Sequence, residues 1–361
     1  MKKPLFTISA PGRVCLFGEH SDYLGLPVIT MAIDKRLTIA CFPRKDKKFR
    51  ILMPDIYQED QFIPSQHIQY KKSRDYLRAG VNVLKRKGCK FSKGYDFFIK
   101  SKIPIGAGTS SSSALVVAWI KTLLSLHPTY VQFNPIEIAR LAFETEVLEF
   151  KEPGGRMDHF AIAMGKFIYH ENHETIDIHH FQYPLEGIVL GHSLEKKETI
   201  RVLKENRREV TEGFRIIKKE LSTFHVKNTP LKEIVDVFGN IRTISDVRLK
   251  KAFATLKNRD LCQAAFREFV DSRFSTKKIG RLMNEHHHQL KTYLNISTPK
   301  IERMIEAVKK AGALGAKING SGLGGTMIAY APGREEKVCD AIESVGGKAW
   351  IVQEAQGVVK W

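Results

Sequence analysis

The chain has 361 residues, 43% hydrophobic and 27% charged, with 58 Lys and Arg against 39 Asp and Glu for a net charge of +19. The length exceeds what one hydrophobic core supports, so two domains are expected, and no apolar run approaches the length that spans a bilayer. Much of the positive excess sits on stretches such as 196–219, where interleaved acidic residues read as a solvated helix face; with no aromatic-rich basic motif or zinc finger beside it, neither nucleic acid nor a membrane is an expected partner.

The N-terminus lacks the apolar stretch and cleavage pattern of a secretory signal. Cys15, Cys41, Cys89, Cys262 and Cys339 are scattered and form no Cys-x-x-Cys pair, so neither a disulfide framework nor a zinc site is indicated and a cytoplasmic location is expected. Residues 5–43 read as strands, with a turn signal at Pro11-Gly12. Between Gly18 and Gly25 lies a polar loop, Glu19-His20-Ser21-Asp22-Tyr23. Its carboxylates and imidazole suit a polyhydroxylated ligand, and a plain polar hairpin tip suits it equally. Residues 44–70 read as irregular, and 76–87 as an amphipathic helix.

A strand over 95–100 then feeds Pro104-Ile-Gly-Ala-Gly-Thr-Ser-Ser-Ser-Ser-Ala-Leu, where a helix begins. Gly106 and Gly108 permit positive φ and close backbone approach. The first amides of the helix have no intrahelical partner and carry the positive end of its dipole. Strand, glycine loop and helix start together make a phosphate cradle, with Pro104, Gly106, Ala107, Gly108, Thr109, Ser110, Ser111 and Ser112 as its candidates. It is not a Walker A loop, which needs Gly-x-x-x-x-Gly-Lys-Ser/Thr; the alternative is a surface loop capping a helix. Asn134-Pro135 starts a helix running to about Phe150. Pro153-Gly-Gly enters a short helix whose first turn holds Arg156 and Asp158, where an acidic residue is often only a cap. The texture changes near 185: a strand over 187–193 gives way to an almost wholly helical stretch over 195–293. Its histidine run, 286–288, points in several directions and cannot converge on one metal. A helix capped by Ser297 or Thr298 precedes strand, glycine loop and strand over 316–331, with Gly320, Gly322, Gly324 and Gly325 allowing something to approach closely.

Three of these stretches, Pro11-Gly-Arg13…Gly18-Glu19-His20, the 104–112 loop and Asn319-Gly-Ser-Gly-Leu-Gly-Gly, resemble in this order the motifs of the GHMP kinases. Within that superfamily Gly12-Arg-Val-Cys-Leu-Phe-Gly-Glu-His-Ser-Asp-Tyr and Met157-Asp158 look most like galactokinase; mevalonate kinases carry Lys in place of Arg13 and lack Ser-Asp-Tyr. The resemblance implies an α+β chain of two domains, an N-terminal mixed α/β domain (1–185) and a helix-rich α+β C-terminal domain (186–361), with the active site between them. It implies ATP and Mg²⁺ as cofactors and transfer of the γ-phosphate to the anomeric hydroxyl of a hexose, galactose first. Asp158 would be the base and Arg13 its partner, and Glu19, His20, Asp22 and Tyr23 would hold the sugar. The 104–112 loop would hold the ATP phosphates, and Ser112 and Glu146 the metal. Glu144 and Glu149 lie close to Glu146, and helical spacing puts 146 and 149 on one face. The expected assembly is a monomer or homodimer. Other readings are a different GHMP kinase (for mevalonate, a uronic acid or a heptose phosphate) and a sugar sensor without turnover. Two departures from the galactokinase pattern, Arg156 and His159, flank the base and raise the question of an anionic sugar.

Overall fold

The computed structural model describes residues 3–361 apart from 65–66, 105, 128–132, 173–175, 197–198 and 272; Ile105 of the glycine loop thus lies outside the described residues. The first half is built on an eight-stranded sheet. β1 (Phe6–Phe17) runs straight through Pro11-Gly12, where a turn was expected. A register shift against β2 (Val28–Pro43) falls at that point instead. A bulge accommodates a proline that has no N–H for the ladder. Gly12 serves the site: a Cβ there would lie 3.1 Å from the Thr109 carbonyl.

Residues 44–70 also depart from expectation, since they contain a hairpin of β3 (Phe49–Met53) and β4 (Gln58–Phe62). β4, at the sheet edge, exposes most of its Gln-Glu-Asp-Gln-Phe run, so it carries no apolar alternation to read. α1 (Tyr76–Arg86) is followed by β5 (Tyr95–Ser101), α2 (Ser111–Ser125), α3 (Pro135–Phe143), α4 (Met157–Met164), β6 (Phe167–Asn172) and β7 (Ile176–His180). The strand order is β4-β3-β5-β2-β1, with β6 and β7 extending from β2. Among the described residues only β3 and β5 pair in parallel. A core around Phe49, Phe97 and the fully buried Trp119 joins sheet and helices, with Phe97 and Trp119 edge to face at 4.8 Å. Asn134 and Glu137 form a reciprocal capping box on α3, as its sequence predicts. The helix does not run on evenly to Phe150, because residues Glu144–Leu148 form a π-helical turn.

The second sheet begins with β8 (Ile188–His192). α5 (Thr199–Glu220), α6 (Leu231–Phe238), α7 (Val247–Phe269), α8 (Thr276–Thr292) and α9 (Pro299–Lys310, capped by Thr298) follow, and then β9 (Gly315–Asn319), β10 (Thr326–Tyr330), α10 (Glu335–Ser344) and β11 (Lys348–Val352). Its antiparallel order is β11-β8-β10-β9. The last strand, β12 (Val359–Lys360), returns to pair with β1 of the first sheet. One core serves both halves: Leu16, Phe17 and Ile29 pack with Leu261, Phe269, Met283 and Ile328. Among the described residues no helix is long and apolar enough to cross a membrane.

Candidate active site

A cavity of about 350 Å³ is lined from both halves of the chain. At its centre Asp158 stands in the first turn of α4. Arg13, on β1, donates through Nε to Asp158 Oδ1 at 2.8 Å, and its Nη2 lies 2.7 Å from the same oxygen. Its Nη1 donates to the Gly108 carbonyl at 2.5 Å. The Ser110 hydroxyl donates to Asp158 Oδ2 at 2.5 Å. Burial alone would raise the carboxyl pKa. The charge of Arg13 and the bonds from Ser110 and Arg13 outweigh it and hold Asp158 below the usual carboxylate value. Its side chain remains 27% exposed, enough for a ligand to reach it.

Ser110 explains part of the loop's geometry. It is the N-cap of α2 at φ 59° and ψ 43°, a left-handed conformation rare outside glycine, and its hydroxyl makes no cap bond. The strain aims that hydroxyl at Asp158 instead. Gly106 and Gly108 also have positive φ. The loop's carbonyls are turned into the protein: Gly108 O accepts from Arg13 and, at 3.1 Å, from Asn319 Nδ2, and Thr109 O accepts from Arg13 N. The first amides of α2 are left for an anion. Gly106, Gly108, Ser110, Ser111 and Ser112 line the cavity. The side chains of Pro104, Ala107 and Thr109, expected among the phosphate contacts, do not. Ala107 and Thr109 are fully buried, and the Thr109 hydroxyl donates to Pro104 O, bracing the loop from behind.

The polar loop Glu19–Tyr23 lies on the other side of Asp158. Asp22 is buried and Oδ2 accepts from Met157 N at 3.1 Å. Burial and repulsion from Asp158 push its carboxyl up to about 6, against the N–H bonds from Met157 and Tyr23 and the charge of Arg13. Glu19 forms a buried ion pair with Lys317 on β9. Its other oxygen, Oε2, is buried without a hydrogen-bond partner, 3.7 Å from His286 Nδ1. His20 braces the loop. Nε2 donates to the Ser321 carbonyl at 3.0 Å and Nδ1 accepts from the Tyr23 hydroxyl at 2.9 Å, the tautomer that a carbonyl acceptor requires. Burial raises the Tyr23 phenol well above its ordinary pKa, so it stays a donor.

Glu146 lines the cavity, and Oε2 accepts from His159 Nε2 at 2.8 Å. The face expected from helical spacing is corrected by the π-helical turn. Glu149 N bonds Glu144 O, so residues five apart share a face. Glu144 and Glu149 both reach Arg86 on the outside, and Glu146 turns inward alone. Arg156 does not line the cavity; its guanidinium lies over the Phe143 ring at 5.2 Å.

Several lining residues escaped sequence reasoning. Arg74 and Glu152 pair at the rim, Arg74 Nη2 donating to Glu152 Oε2 at 2.6 Å. Ile200 and Leu203, three apart on α5, close one wall, but on a highly charged helix they give no separate signal. Lys317, behind the cavity, did leave one, a single charge inside β9, which is buried at every position.

A glycine loop at a helix start, a carboxylate beside arginine and a cavity lined from both halves of the chain are parts that a small-molecule kinase uses. The GHMP kinases N terminal domain family matches residues 75–166, the GHMP kinases C terminal family 264–348, and the galactokinase galactose-binding signature 1–43. Mevalonate kinase of Thermococcus sibiricus is 30% identical over 348 residues, covering 94% of this chain and 93% of that protein. Galactokinase of Roseiflexus sp. is 27% identical over 332 residues, covering 90% and 83%. The crystal structure of Lactococcus lactis galactokinase complexed with galactose superposes with a TM-score of 0.84 at 24% identity, covering 99% of this chain and 95% of that one. The chain belongs to the GHMP kinases, a family of ATP-dependent transferases, and has their two-domain fold.

Proposed function

We propose that this kinase phosphorylates the anomeric hydroxyl of a neutral hexose, galactose first among them. The observation that carries the reading is the pair of buried carboxylates, Glu19 and Asp22, in the cavity that holds Asp158. A buried carboxylate only accepts hydrogen bonds while ionised, and both residues line the cavity. Sugar hydroxyls supply donors. A carboxylate substrate such as mevalonate would instead bring a further negative charge beside them. The cavity's arginines are already engaged, Arg13 with Asp158 and Arg74 with Glu152.

In this reading Asp158 takes the proton of the hydroxyl that attacks the γ-phosphorus of ATP. The bond from the γ-phosphorus to the bridging oxygen breaks as the new one forms, and ADP leaves. Arg13 and the α2 amides offset the charge of the transferring group. Ser112 and Glu146 offer a hydroxyl and a carboxylate to the same cavity, the hard oxygens Mg²⁺ takes. Among the described residues no three His, Cys, Asp or Glu cluster as a metal cage, and Mg²⁺ bound through nucleotide phosphates needs only one or two protein ligands. These residues fit the ion, which would neutralise phosphate charge when bound. Pro104, Ala107 and Thr109 support the loop, His20 and Tyr23 hold the sugar loop against Ser321, and the domain division falls near residue 185.

A second reading, mevalonate kinase, is favoured by the 30% identity with such an enzyme along almost the whole chain. ATP consumption measured with galactose, other hexoses, uronic acids, heptose phosphates and mevalonate separates the two. Turnover with galactose yielding a phosphorus resonance coupled to the anomeric proton is the expected result. Turnover with mevalonate alone would replace the sugar reading.

A further inference from the structure

The two departures flanking the base, Arg156 and His159, find a common use around Glu146. His159 is 2% exposed and lines the cavity. Its Nε2 lies 2.8 Å from Glu146 Oε2. An ionised carboxylate can only accept, so Nε2 carries the proton, and Nδ1 is buried without a partner. The imidazole plane is set by Phe143, whose ring meets it edge-on at 5.6 Å and 77°. Arg156 lies over that same Phe143 ring. The acceptor, Glu146, sits in a π-helical turn that separates it from Glu144 and Glu149. Among the described residues His159 is its one hydrogen-bond partner.

We propose that His159 is a positioning residue for Glu146. It ties down one carboxylate oxygen and presents the other to the divalent cation that enters with the nucleotide. Arg156, rather than reading an anionic sugar, steadies the aromatic ring that orients His159. The inference rests on the reading of Glu146 as a metal ligand, and the two are separated by testing each residue with the same probe.

The probe is Mn²⁺, its free concentration followed by electron paramagnetic resonance in the presence of ADP. Calorimetric ADP binding in chelator serves as the metal-free control. His159→Ala should weaken Mn²⁺ binding about 10- to 100-fold, the usual consequence of removing a residue that orients a metal ligand, with metal-free ADP affinity unchanged. His159→Gln, whose amide can donate to the same oxygen, should recover most of the loss. In a Glu146→Gln background His159→Ala should add nothing further. Wild-type Mn²⁺ affinity in His159→Ala alongside a loss in Glu146→Gln would overturn the positioning role and keep Glu146 as the ligand. Wild-type affinity in Glu146→Gln would overturn that assignment and the inference with it. Should His159→Ala not fold, His159→Leu against His159→Gln decides: weaker binding in the leucine variant supports the role, and equal binding overturns it.

Discussion

Arg13 gathers Asp158, the glycine loop and the first strand onto one side chain, donating to Asp158 and to Gly108 O. Asp158→Asn removes the proton acceptor but keeps a similar shape. Turnover should fall by about 10²- to 10⁴-fold with ADP affinity nearly intact, as single-turnover kinetics and calorimetry would show; unchanged turnover would place the base elsewhere. Asp22 behaves oppositely with pH. Its folded pKa of about 6 lies above the ordinary 3.8, so the native state holds this proton more tightly than the unfolded chain does. The stability it contributes is full below pH 3.8 and is lost as pH rises through about 6. Asp22→Asn should therefore stabilise the free protein near pH 8 by about 2–3 kcal/mol, with the gain absent near pH 4, while raising the sugar KM. Melting curves at both pH values check the sign. Arg13, Asp22 and Asp158 could be singled out because each sits in a short motif whose chemistry fixes residue type. The Glu19–Lys317 pair could not, since its members lie 298 residues apart and only the fold joins them.

An element built on strong periodicity, such as α1, was readable. Elements defined by a local exception were not. The π-helical turn at 144–148 leaves no mark in composition, yet it decides which of three glutamates faces the cavity. The bulge at Pro11-Gly12 carries the same residues as a turn, and pairing with β2 decides between them. The loop before α4 shows how tightly such joints are set. A Cβ on Gly155 would lie 2.0 Å from Asp22 Oδ2, whereas one on Gly154 would meet nothing nearer than 3.7 Å. Gly155→Ala should displace the Asp22 carboxylate and lower kcat/KM for the sugar by more than about tenfold, each tenfold being 1.4 kcal/mol. Gly154→Ala should stay within a few-fold of wild type. Equal effects in a steady-state assay would remove Asp22 from the acceptor site.

At the scale of the molecule, β9 and the loop after it stitch the halves together. Lys317 reaches Glu19 and Cys15 O, Asn319 bonds Cys15 N and Gly108 O, and Ser321 O accepts from His20. Lys317→Met leaves Glu19 buried and unpaired, a loss of about 3–5 kcal/mol. The double variant with Glu19→Gln should regain part of it, which a chemical-denaturation cycle would measure; no recovery would uncouple the pair. The two-domain organisation was readable from the length of the chain. The shared core and the return of β12 to β1 were not, because contact between distant segments has no local signature. The stitching also bears on how the protein is made. A nascent chain carries Glu19 and the glycine loop long before Lys317 and Asn319 leave the ribosome. During that interval neither loop has its partner, so the cavity they line is not yet assembled.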